Sequence, residues 1–200
     1  MDQKRRSILR VASTGALAGC LSTEITRSVH AQVAQTKRYC TAEIATDDRI
    51  CSIWAQTKLL VWPEKYVIVS LPKSSLSQAT SIVAMATGTF AALVLERDEV
   101  SLTLPEPVWT ANAVKANAHD GPCRALTFDL SLDLDVFGYF AQAALRLANA
   151  KISIVPESAY LKDHILVHER DLDQTVTILN KLIEDCRRAL PATQITVPPK

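Results

Sequence analysis

Residues 123–185 constrain the fold more than any other part of the chain. They read as strand, acidic loop, helix, strand, strand and helix, with little left over. In CRALTFDL (123–130), Leu126, Phe128 and Leu130 alternate onto one face of a strand. SLDLD (131–135) is a loop, and VFGYFAQAALRLANA (136–150) is a helix. Phe137, Phe140 or Ala141, Ala144 and Ala148 lie along one side of that helix. KISIV (151–155) is expected to be a strand that Pro156 stops or places at a sheet edge. In YLKDHILVHE (160–169), Ile165 and Val167 alternate against Leu166, giving a third strand. In DLDQTVTILNKLIED (171–185), Leu172, Val176, Leu179 and Ile183 form one apolar helical stripe. Asp171 can cap this helix, with Gln174 completing a loose capping box. A βαββα order predicts an open antiparallel sheet with helices on one face.

The preceding residues repeat this order without its last helix. Tyr66 to Leu71 is a β-branched, apolar strand that Pro72 ends. SSLSQATSIVAMA (74–86) reads as a short helix capped by Ser74 or Ser75. FAALVLERDEVSLTLPE (90–106) reads as a hairpin, with alternation on both sides of Glu96–Glu99. Residues 107–120 read as a linker, and Gly121-Pro122 marks the restart. Residues 21–57 are polar and show no clear period. The expected divisions are a basic leader and irregular tail (1–57), a first unit (58–110), a linker (111–122), a second unit (123–187) and a Pro-containing tail (188–200).

Composition removes several function classes. The net charge of +1 argues against a general nucleic-acid binder. Five cysteines stand apart with no CxxC spacing, so no zinc site is expected. Free, mostly buried thiols in a reducing compartment fit them better. No apolar run reaches the ~18 residues that a membrane span needs. The first 38 residues carry seven cationic side chains against two acids. Within them, KRRSILRVASTGALAGC (4–20) admits several readings. It has the layout of a twin-arginine export signal with a lipobox at Cys20, and VHA before Gln32 offers a second cleavage site. Its Arg, Ser, Thr and Ala content suits a mitochondrial presequence as well. A basic tail, or a start placed too far upstream, is the plainer alternative. The body of the chain favours the cytoplasm.

The polar constellations do not make a catalyst. Asp129, Asp133 and Asp135 lack the donor count and central glycine of a calcium loop, and read as solvated carboxylates near a helix start. His164 and His168 flank a strand, which sets their rings ~13 Å apart, too far to share a metal. Asp163 and His164 are strand neighbours and point to opposite faces. No GxSxG, GxGxxG or phosphate-binding loop occurs. Trp54, Trp62 and Trp109 are expected to be packing residues. The chain is expected not to be an enzyme.

Two βαββ(α) units, with LERDEVSLTLPE in the first and LDLDVFGYFAQ…KISIVPESAYLKDHILVHERDL in the second, resemble the tandem ACT-domain proteins. The branch most similar is the one holding bacterial ACT-like proteins and the cytosolic arginine sensor of animals. The likeness covers roughly residues 60–185 and rests on pattern rather than on a sharp motif. It implies an α+β fold of two ferredoxin-like units, with antiparallel sheets and helices on one face. It also implies a regulatory sensor that binds a free amino acid, without cofactor or metal, at the strand-to-helix loop where two units face each other. That loop is Leu132, Asp133, Leu134, Asp135, Val136, Phe137 and Gly138. In the family the loop backbone holds the amino-acid end, and Gly138 falls where a glycine lets it approach. Asp163, before His164, falls where the arginine-sensing branch has a side-chain-selecting aspartate, and Ser158 falls on a family serine. The acidic loop departs from many relatives, which favours a cationic ligand or repels a carboxylate. A chain with two units would dimerise to build the interface. An interaction module of the same fold without ligand, and an exported lipoprotein, are the alternatives.

Overall fold

The computed structural model describes residues 48–190. The leader readings, Cys20, Cys40 and the tail from 191 onward lie outside the described residues. The elements in chain order are α1 (Asp48–Gln56), β1 (Leu59–Pro72), α2 (Leu76–Val83), β2 (Ala92–Leu95), β3 (Glu99–Pro105), α3 (Glu106–Asn112), β4 (Ala118–Phe128), α4 (Tyr139–Asn149), β5 (Val155–Ser158), β6 (Asp163–His168) and α5 (Leu172–Ala189). Among the described residues no helix is long and apolar enough to cross a membrane.

Among the described residues the strands form one antiparallel sheet of six, in the order β2-β3-β1-β4-β6-β5. Two separate sheets were expected, and the join between β1 and β4 is what merges them. These two strands are long and pair along most of their length, from Leu59↔Phe128 to Ser70↔Ala118. The ladder shifts register between Val61 and Lys65 and again between Tyr66 and Ile68. Pro63 stands at the first shift and Pro122 opposite the second, because a central strand tolerates a residue without N–H only where pairing is interrupted. Gly121 lies so close to β1 that a Cβ there would come within 3.0 Å of the Tyr66 carbonyl oxygen.

Alternation along β1 sorts the core. Val67, Val69 and Leu71 face Leu102, Leu104, Ala79, Ile82 and Trp109, the cluster under α2 and α3. Leu126 and Phe128 of β4 and Ile165 and Val167 of β6 face α1, α4 and α5. On the opposite side of the sheet Tyr66, Cys123, Ala125 and Leu166 are buried beneath Trp62 and Phe90. That side carries no helix in the cluster and is closed by curvature instead. The Thr103 hydroxyl on β3 donates to Glu157 on β5 at 3.0 Å, and Phe90 stacks on His164 at 4.4 Å. Right-handed twist accumulated across six strands brings the two halves together there.

Several elements differ from the sequence expectation. Residues 48–56, read as irregular, form α1, whose Ile50, Cys51, Trp54 and Ala55 are buried as one helical stripe. Residues 107–120, read as a linker, hold most of α3 and the start of β4. The strand expected at 151–155 begins only at Val155. Its first residues are consumed by a Schellman cap on α4, with Lys151 at φ 61°, Ile152 N–H on the Leu147 carbonyl at 3.0 Å and Lys151 N–H on Ala148 at 2.9 Å. Pro156 sits within β5, an edge strand. The buried face of α4 is Tyr139, Gln142, Ala143 and Leu147, one position off the expected stripe. On α5, Asp171 occupies the N-cap position without a side-chain cap bond, because a 3-10 turn at Glu169–Asp171 leads into the helix.

Candidate functional site

The β4–α4 connection and the β5–β6 turn enclose a cleft of about 290 Å³. One wall is the loop after β4, with Leu132, Asp133, Leu134 and Val136, leading to Gly138. The Val136 N–H bonds the Asp133 carbonyl at 3.1 Å, so the loop is closed on itself. The end of the cleft is the first turn of α4, Tyr139, Phe140 and Ala141. The other wall is Ser158, Ala159, Tyr160, Leu161, Lys162 and Asp163.

Gly138 is the N-cap of α4 and has φ +83°, a left-handed conformation that glycine adopts without strain. It has no side chain with which to cap the helix. The first N–H groups of a helix have no intrahelical acceptor, and they carry the positive end of its dipole. The amino end of α4 can therefore take an anionic group entering the cleft. On the facing wall the Ser158 hydroxyl donates to Asp163 Oδ1 at 2.8 Å. Lys162 pairs with Asp129, which leaves its charge largely neutralised. The cleft thus presents a helix amino end on one side and the Asp163 carboxylate on the other. A ligand bearing both a carboxylate and a cation matches that polarity.

Most of the residues expected from the sequence meet at this one cleft. Leu132, Asp133, Leu134, Val136, Gly138, Ser158 and Asp163 line it; Asp135 and Phe137 do not. The Phe137 ring is 73% exposed, because α4 starts three residues later than expected and the ring precedes its buried stripe. The turn 159–162 departs from the sequence expectation, which placed residues 160–162 at the start of a strand. Ala159 N–H on the Lys162 carbonyl at 2.9 Å closes it. The tripeptide Ser-Ala-Tyr between Pro156 and Asp163 was the only signal available.

His164 is not part of the cleft. Its register partner is Thr127, whereas that of Asp163 is Phe128, so the two side chains leave β6 on opposite faces. Trp62 Nε1–H donates to Thr127 Oγ1 at 2.8 Å, and Thr127 in turn has its proton free for His164 Nδ1 at 2.7 Å. Where Thr127 donates to Nδ1, the neutral ring carries its proton on Nε2. Burial lowers the pKa of His164 below its ordinary value; neighbouring Asp163 raises it and Lys162 lowers it further. In the unfolded chain the ring takes a proton near pH ~6.5 that the folded protein resists. The stability linked to His164 is therefore fully present above that pH and is lost as pH drops through the window below it. Urea midpoints measured from neutral to mildly acid pH should show this loss. His164→Gln should flatten the profile, and an unchanged slope would assign the acid sensitivity elsewhere.

Among the described residues no group of three or more His, Cys, Asp or Glu could hold a metal ion. No curated protein matches the chain by sequence. Among solved structures, a protein of unknown function from Vibrio cholerae is similar over 68% of this chain and 97% of its own, at 18% identity and a TM-score of 0.54. A protein from Agrobacterium tumefaciens is similar over 64% of this chain and 89% of its own, at 22% identity and a TM-score of 0.52. Aspartokinase α and β subunits are similar over 69% of this chain and 99% of theirs, at 17% identity and a TM-score of 0.52. At these identities the likeness is one of fold. By sequence, residues 119–181 match the ACT domain, a stretch that runs from the start of β4 into α5 and contains both walls of the cleft.

Proposed function

We propose that this protein is a non-enzymatic regulatory protein of two ACT units that binds a free amino acid in the cleft between the 130–138 loop and the 158–163 turn. The polarity of that cleft carries the reading: an uncapped helix amino end faces Asp163 across about 290 Å³. The loop and the first turn of α4 would hold the α-carboxylate. Asp163, oriented by Ser158, would select a cationic side chain, in line with the resemblance to the arginine-sensing branch. The two-unit organisation is supported by topology. β1-α2-β2-β3-α3 and β4-α4-β5-β6-α5 have the same order, and their strands run 1-3-2 and 4-6-5 outward from a shared centre. The buried free thiols Cys51, Cys123 and Cys186 suit a reducing compartment such as the cytoplasm.

One observation favours a second reading, an interaction module. Leu134 and Tyr160 are each 80% exposed and Phe137 73%, beside the half-exposed Leu161, all around the rim of the cleft. Such a rim suits a partner surface, a second copy included. A thermal-shift screen of the full chain against the twenty standard amino acids separates the two. A ligand at 100 times its Kd should stabilise the fold by ~2.7 kcal/mol. One clear rise in melting temperature supports the amino-acid reading. A flat screen on folded protein refutes it and leaves dimerisation or partner binding as the function.

A further inference from the structure

α1 lies outside the stretch that matches the ACT domain, yet it is bonded to the residue that opens α4. Trp54 is fully buried, and its Nε1–H donates to the main-chain carbonyl of Tyr139 at 3.1 Å. Its indole stacks on the Tyr139 ring, with centroids 4.4 Å apart. Thr57 is fully buried as well, and its hydroxyl donates to the Ile53 carbonyl at 3.1 Å. The single proton of Thr57 is thereby committed, so in the 2.8 Å contact with Tyr139 the phenol is the donor. Tyr139 is thus held at its backbone and ring face by Trp54 of α1, and at its hydroxyl by Thr57, the residue that follows α1. From the other side α1 is fixed to α5, where Arg187 Nε–H donates to the Ala55 carbonyl at 2.8 Å. Tyr139 is also the first helical residue of α4 and lines the cleft.

We infer that α1 is a working part of the cleft: Trp54 and Thr57 are positioning residues that hold the first turn of α4 where a bound amino acid needs it. The inference rests on the amino-acid reading given above and extends it to regulation. The contacts around Tyr139 are all buried, so a shift of α4's first turn must either move α1 or break them. Occupancy of the cleft is then linked to the position of α1, and coupling of this kind is reciprocal. Whatever acts on α1 changes affinity, and ligand in turn steadies α1. The same contacts would explain why the buried face of α4 starts at Tyr139.

The test uses the full chain with Thr57→Val, Thr57→Ser and Trp54→Phe. Thr57→Val keeps the volume of the side chain but leaves the Tyr139 hydroxyl without an acceptor, and Thr57→Ser restores one. Hydrogen exchange without ligand is the first readout. Amides of Gln142, Ala143 and Ala144, the ones whose helical bonds close the first turn of α4, should exchange faster in Thr57→Val and Trp54→Phe, those of β4 and β6 should not, and Thr57→Ser should resemble the parent. Calorimetric titration with whichever of the twenty amino acids raises the melting temperature is the second. Thr57→Val should bind about tenfold more weakly, the scale expected from stranding one buried polar group, with Thr57→Ser near the parent value. A merely structural α1 would lower the melting temperature of the variants and leave both exchange at Gln142–Ala144 and the Kd unchanged, which overturns the inference while the amino-acid reading stands. If no amino acid binds the parent protein, the amino-acid reading fails and the coupling falls with it, even if the exchange data show that α1 holds α4 in place.

Discussion

Trp54→Ala should lower the free energy of unfolding by about 3–5 kcal/mol, the usual range for removing a fully buried large aromatic. The side chain is 0% exposed and meets Phe128 edge-on at 5.2 Å as well as the Tyr139 face at 4.4 Å. Aromatic pairs of these geometries add about 0.5–1.5 kcal/mol beyond the area they bury. The cavity left behind has little freedom to collapse, since α1, α4 and β4 all contribute to its walls. Urea titration followed by far-UV circular dichroism measures the loss. A change under ~1 kcal/mol would make α1 an appendage and would remove the structural basis for its role at the cleft.

Gly138→Val should abolish amino-acid binding while leaving the fold in place. The residue sits at φ +83°, and a Cβ there would meet nothing within 4 Å. Steric exclusion is therefore not the cause. A β-branched residue held left-handed is strained by about 1–2 kcal/mol. The chain can bear that strain or relieve it by turning residue 138 to negative φ. Relief redirects the entry into α4 and takes the first-turn N–H groups away from the loop. Gly138→Asn tolerates the left-handed conformation better and should retain binding. Titration of the three proteins with an amino acid that stabilises the parent decides the matter. Equal affinity in Gly138→Val would place the binding site elsewhere.

Much of the second half of the chain was legible because its periods are local. Leu126 and Phe128, Ile165 and Val167, and Leu179 and Ile183 repeat at strand or helix spacing and are buried as that spacing requires. The loop and Asp163 could be drawn together in advance because the resemblance to ACT domains implies a ligand site at the strand-to-helix turn and β6. What escaped depends on partners distant in sequence. α1 has a helical stripe, but its flanks are polar and its reason for being helical is Tyr139, more than 80 residues away. The one-position rotation of α4 has the same origin. The helix in 107–120 was hidden by a Pro-containing start, since Pro107 is well placed in a first helical turn yet also reads as a breaker. The single sheet was not legible at all, because β1–β4 pairing is a matter of two edges finding each other.

That pairing also orders events during synthesis. β1 can pair with β3 as soon as the hairpin after α2 has emerged, but its other edge must wait for β4. Leu59 finds Phe128 only about 70 residues later in the chain. Until then β1, the longest strand among the described residues and apolar on the face that will carry the helices, presents a row of unsatisfied N–H and C=O groups to its surroundings. The nascent first half is for that interval a template for any passing strand, a neighbouring copy of itself included.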